Sequence, residues 1–114
     1  MNLQQIIDTL QLNILTAPRD FNSITPRGGY TSDLLSCVMA GAKNGYIWVT
    51  LQAHLNIVAV ASMVDVAAVI ITENAHPDKT TIEKANDQGV ILLATPKSSY
   101  EICGSLWEMH IRYP

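Results

Sequence analysis

The chain is short of charge. Asp, Glu, Lys and Arg make up 15% of its 114 residues, against roughly 25% in a typical soluble domain. A small domain has much surface to cover. Part of it is therefore either covered by another molecule or built from the plentiful neutral Asn, Gln, Ser and Thr. A homodimer is the commonest way to hide such a patch, and it is the expected assembly. The seven Lys and Arg residues are scattered, no two adjacent, and the net charge is −3. Nucleic acid needs a clustered basic face and is excluded as a partner. The most apolar run, "NIVAVASMVDVAAVII", meets Asp65 after nine residues. A bilayer span needs about 20, so a membrane is excluded too. "MNLQQIIDTL" lacks the basic stretch and apolar run of a secretory signal. The two cysteines, Cys37 and Cys103, match no metal-ligand spacing and read as reduced, buried thiols of a cytoplasmic protein. No GxxxxGK[ST] run exists, since "GAKNG" has glycines without the following Lys-Ser/Thr. That excludes a self-sufficient P-loop enzyme.

What is present is an alternation of short helices and strands. Leu3, Ile6, Ile7 and Leu10 have helical spacing behind a capping Asn2. "LNILT" reads as a short strand. The stretch from Ala17 to Gly29 is punctuated by Pro18, Pro26 and two glycines and reads as loop. A brief strand follows to Thr31, which Pro26 confines to a sheet edge. Leu34, Leu35, Val38, Met39 and Ala42 predict a helix capped by Ser32 or Asp33. "YIWVT", "VAAVIIT" and "VILLAT" are apolar strands of the kind covered on both faces, and they form the centre. "HLNIVAVASM" and "PDKTTIEKANDQG" are the helices between them. The latter starts at Pro77 or at a capping box in "TTIE". "SSYE" is another capping box, opening a last helix through Trp107 to about Ile111. There is no repeat or linker, so residues 1–114 are one α/β domain with a mostly parallel sheet.

In such sheets ligands collect beyond the carboxyl ends of the strands, near a switch point. Four polar stretches should meet there: "GGYTSD", "TLQAH", "TEN" and "TPKSS". Gly28 and Gly29 either bring backbone N–H groups to an anion, helped by the helix start at Ser32 or Asp33, or simply turn the chain for close packing. His54, beside Gln52, is a ligand contact or a loop anchor, and no catalytic partner accompanies it. Glu73, Asn74 and Thr95 lie at the next strand ends. His54, His76, Glu73 and Asp33 show no dedicated metal spacing. No catalytic residue, cofactor or metal is therefore assigned. Tyr100, Cys103, Leu106 and Trp107 read as core or interface, and His110 as terminal surface.

"GGY-SDLLS-VM" (Gly28 to Met39) and "W-T-Q-H-NI-AVA" (Trp48 to Ala61) resemble the DRTGG domain family, related to the N-terminal domain of bacterial HPr kinase/phosphorylase. The naming motif stands here as Thr25-Pro26-Arg27-Gly28-Gly29, so only its glycines match. The resemblance implies a small three-layer α/β/α domain that dimerises and regulates rather than catalyses. Gly28, Gly29, Ser32, Asp33, Gln52, His54, Glu73, Asn74 and Thr95 are the candidate ligand residues, for a nucleotide or other small anion. The alternative is a ligand-free dimeric adaptor docking on a separately encoded enzyme as its protein partner.

Overall fold

The computed structural model describes all 114 residues. Helix α1 (Leu3–Leu10) opens on Asn2, whose side chain accepts from Gln5 N while Gln5 reaches back to the Asn2 N–H. Strand β1 (Asn13–Ile14) follows, then a single 3-10 turn at Phe21–Ser23, then β2 (Gly28–Thr31). The remainder alternates: α2 (Leu35–Gly41), β3 (Tyr46–Thr50), α3 (Asn56–Val64), β4 (Ala68–Ile71), α4 (Lys79–Gln88), β5 (Leu92–Ala94) and α5 (Ser99–Glu108).

The sheet order is β1-β5-β4-β3-β2. Strands β2 to β5 are parallel, and two-residue β1 pairs antiparallel with β5. Each parallel step moves the same way along the sheet. Right-handed crossovers therefore put α2, α3 and α4 on one face, and α1 and α5 cover the other. Two cores result. Trp48, Val69, Ile71 and Leu92 face Val38, Ile57, Val58, Ala61 and Ala85. Ile47, Val49, Ile70 and Leu93 face Leu3, Ile6, Ile102 and Leu106. Both sides of β3, β4 and β5 are thus buried, which is why these segments are continuously apolar. Each fully buried Ile, Leu or Val contributes about 1.5–3 kcal/mol. The fold is the expected three-layer α/β/α sandwich.

Several details differ from expectation. The parallel strands run in sequence order without reversal, so no switch point opens between them. Neither Ser32 nor Asp33 caps α2: Leu34 holds the cap position with no side-chain bond, because Asp33 is drawn away to β3. Helix α4 starts neither at Pro77 nor with a capping box, since Asp78 accepts from Thr81 N. The capping box at Ser98 and Glu101 is present. The last helix ends at Glu108, short of Ile111. On it, Ile102 and Leu106 point inward while Tyr100 is 91% exposed and Trp107 is about half exposed. Cys37 is exposed and Cys103 half-buried, so neither is a core thiol.

The chain's end closes the open side of β2. Arg112 O accepts from Gly29 N at 3.2 Å, and the Tyr113 ring packs on Tyr30 and edge-on against Tyr46. Gly28 makes this possible: a Cβ there would lie 2.6 Å from Arg112 O and 2.8 Å from the Tyr46 ring. The φ of Gly28 is not positive, so close packing alone demands glycine.

Candidate functional site

The carboxyl ends of β2 to β5 bring together most of the candidate residues. Of three buried threonines, Thr50 ends β3, and Thr72 and Thr95 directly follow β4 and β5. A buried hydroxyl needs a partner, and each has one. Thr50 Oγ1 donates to Asp33 Oδ1 at 2.8 Å. Thr72 Oγ1 shares a 2.6 Å bond with Ser99 Oγ. Thr95 Oγ1 accepts from Lys97 N at 3.2 Å. Asp33 Oδ1 also accepts from Leu51 N at 2.9 Å, and Gln52 Nε2 donates to Asp33 O at 3.2 Å. The β2 and β3 loops are thereby laced together. Ser32 serves locally: its hydroxyl accepts from Leu34 N, and its carbonyl accepts from the buried Trp48 indole at 3.0 Å. His54 Nδ1 accepts from Asn56 N at 3.2 Å, anchoring the loop that enters α3.

After β4 the chain turns through Glu73 and Asn74, both at φ 59. Two successive non-glycine residues in the left-handed region cost roughly 1–2 kcal/mol each. The turn is held by Glu73 N donating to Lys97 O at 2.8 Å and Asn74 N donating to Thr95 O at 3.2 Å. The Glu73 carboxylate accepts from Ser99 N at 2.8 Å, where the first turn of α5 offers free donors and a positive dipole end. Two carboxylates thus stand on donors at this edge, Asp33 on β3 and Glu73 on α5. No three His, Cys, Asp or Glu side chains meet in metal-holding geometry.

None of the four principal cavities is lined by Ser32, Asp33, Gln52, His54, Glu73, Asn74 or Thr95. Gly29 lines a cleft of about 150 Å³ beside β2 with Tyr30, Cys103, Trp107 and Tyr113. Gly28 lies apart from the strand-end cluster, against Arg112 and Tyr46. At the opposite, amino end of the sheet, Arg27, Lys43, Asn44, Tyr46 and Pro114 surround a cavity of about 290 Å³. Reading the sequence alone missed that group. Tyr46 reads as strand core, Lys43 and Asn44 as a helix end, and nothing local signals that residue 114 returns to them.

No protein-family model matches the chain, and no curated protein does. Among solved structures it is similar to the CBS and DRTGG domains of the regulatory region of Clostridium perfringens pyrophosphatase, crystallised with its activator diadenosine tetraphosphate. The TM-score is 0.73 at 20% identity, over 90% of this chain and 44% of that one. This chain therefore spans less than half of that regulatory region, and at this identity the likeness is one of fold. No helix is long and apolar enough to cross a membrane. By fold, the chain is a DRTGG-like α/β domain.

Proposed function

We propose that the chain is a non-catalytic regulatory module. It senses a small anionic ligand, nucleotides being the leading class, at the carboxyl end of its sheet, and it works as a homodimer. The observation that carries the site is the Glu73–Asn74 turn. Strained non-glycine backbone persists where function asks for it, and this turn ends a central strand beside the loops holding Gln52, His54 and Thr95. The fold shared with a nucleotide-bound regulatory region supports the ligand class. Ser32 and Asp33 support the rim rather than the floor of such a site, and Gly28 and Gly29, at the start of β2, lie outside it.

The dimer reading rests on α2 and α3. Neither Leu34 to Ala42 nor Gly45 to Val64 contains an Asp, Glu, Lys or Arg. These adjacent helices expose Leu34 at 62% and Met63 at 69%, beside a groove of about 550 Å³ between α3 and α4. A second copy fits best: a two-fold axis brings the same patch to itself, and the α2 and α3 surface carries no charge to repel its copy, the one charged group at the groove being Lys84 on α4. His54 and Asp33 precede these helices, so a ligand that favours one dimer arrangement shifts the equilibrium through them.

Thermal unfolding against a nucleotide panel, with mass followed by light scattering, tests both parts. A ligand at 100 times its dissociation constant adds about 2.7 kcal/mol, a shift on the order of 10 °C in this size class. The shift is expected to vanish in His54→Ala and Asn74→Ala. Silence from a folded dimer would replace this reading with the ligand-free adaptor. For the interface, Ala59→Glu with Met63→Glu should yield a monomer while Tyr100→Glu leaves the dimer intact. A dimer that survives the α3 charges contradicts this face.

A further inference from the structure

At the amino end of the sheet one buried polar atom lacks a partner. The Tyr46 hydroxyl is sealed from solvent yet makes no hydrogen bond, whereas the buried threonines at the other end are all satisfied. An orphaned buried hydroxyl is destabilising, so its position asks for an explanation. Tyr46 lines the 290 Å³ cavity together with Arg27, Lys43, Asn44 and Pro114. Two of the chain's seven Lys and Arg residues thus converge on the residue with the orphan. Neither has a carboxylate within ion-pair distance: the protein's one ion pair is Lys79–Glu83.

The cations are also held in place. Gly45 has φ +79, and a Cβ there would lie 2.8 Å from Arg27 Cδ, so the glycine lets the arginine stem lie flat on the turn. Asn44 Oδ1 accepts from Arg27 Nη1 at 3.4 Å, and Asn44 Nδ2 donates to Asp65 Oδ2 at 2.6 Å. Asn44 thereby positions Arg27 and occupies Asp65, leaving most of the five guanidinium donors free. The Lys43 ammonium stands 5.5 Å over the Tyr113 ring, and that ring also meets Tyr46 edge-on.

The geometry points to a second ligand site at this end, independent of the strand-end site proposed above, that takes a phosphate group. A planar fork, a point charge and a phenol lining one cavity suit a tetrahedral oxyanion with several acceptor oxygens better than a flat carboxylate. Arg27 and Lys43 supply the charge, and Tyr46 donates its free hydroxyl to a phosphate oxygen. Lys43 and Pro114, which flank the cavity, are both exposed.

The test is binding of inorganic phosphate, pyrophosphate and AMP to the full chain. It is followed by calorimetry and by amide chemical shifts, with chloride matching the ionic strength. Saturable binding is expected, with shifts centred on Arg27, Lys43, Asn44 and Tyr46. Affinity should fall by about tenfold or more in Arg27→Gln and in Tyr46→Phe, each removing a donor to a charged acceptor. Tyr46→Phe keeps the ring and its packing, so loss of fold does not confuse the result. Tighter binding of AMP than of phosphate identifies a phosphoester as occupant, and the reverse a free oxyanion. Binding that survives both substitutions, or phosphate effects no larger than those of chloride, overturns the site. His54→Ala should leave this binding intact, which separates failure here from failure of the strand-end reading.

Discussion

The two ends of the parallel sheet are built on opposite principles. At the carboxyl end, buried hydroxyls are satisfied from within, Asp33 and Glu73 sit on backbone donors, and the loops are laced from strand to strand. At the amino end, Arg27 and Lys43 lack ion-pair partners and Tyr46 lacks any. A polar edge therefore does not by itself mark where an anion goes. Donors already occupied by the protein's own carboxylates are unavailable until a loop moves, whereas unmet donors beside unpaired cations have no internal bond to give up. On this contrast the carboxyl end is suited to a switch that must rearrange, and the amino end to simple capture.

The largest expected effect separates the two glycines that head β2. Gly28→Ala forces a methyl to 2.6 Å from a carbonyl and 2.8 Å from a ring. Such overpacking costs about 3 kcal/mol and should detach the C-terminal tail from β2. At Gly29 the nearest atom beyond the adjoining chain is Ile111 Cγ2 at 3.5 Å, an ordinary contact, so Gly29→Ala should change stability by less than about 1 kcal/mol. Urea unfolding of the two variants checks this. Equal losses would return the pair to a shared backbone role and weaken the packing account.

Next in size is the lacing at the carboxyl end. Asp33→Ala removes the acceptor of both Thr50 Oγ1 and Leu51 N. Thr50 is fully buried, so its hydroxyl proton loses its acceptor, although Gln52 N still donates to the oxygen, at a cost of about 1–2 kcal/mol with the lost Leu51 bond included. Asp33→Asn retains a side-chain oxygen and should recover about half. A capping role would instead lower helix content, and unchanged stability of Asp33→Ala would mean the lacing holds nothing.

Those variants also show which features were legible in the sequence. The three central strands are continuously apolar because two helical layers cover them, and this pattern is visible residue by residue in "YIWVT" and "VAAVIIT". The Ser98–Glu101 capping box is equally local. Asp33 does not follow the local rule, an acidic residue before a helix, because a donor pair 17 and 18 positions away, at the end of β3 and just past it, draws its carboxylate off. The strand-end cluster could be anticipated, since parallel topology places those loops side by side. The amino-end group could not: it depends on the chain's last residues meeting β2 and Tyr46, a contact that no spacing announces.

A smaller effect of opposite sign follows at the amino end. Without phosphate, Tyr46→Phe removes an unsatisfied hydroxyl and should stabilise the protein by about 1 kcal/mol. In saturating phosphate the order should reverse, because only the wild type gains the ligand bond. A loss of stability in phosphate-free buffer would mean the hydroxyl already has a partner and the contrast between the ends fails.

The smallest effect concerns the thiols. Burial pushes the Cys103 thiol above its ordinary range, outweighing a hydrogen bond with Thr31, while Cys37 stands exposed on α2. The thiolate is the reactive form, so a maleimide at neutral pH should modify Cys37 first in monomer and Cys103 slowly. In the proposed dimer Cys37 is covered and both react slowly until Ala59→Glu with Met63→Glu opens the interface. The linkage sign is fixed by the raised folded value. The contribution of Cys103 is fully present below the pKa of the unfolded thiol and is lost as pH rises through the folded one. Cys103→Ser should therefore flatten the alkaline limb of the stability profile and leave the neutral region's shape unchanged. A limb as steep as the wild type's would place the alkaline transition on another group.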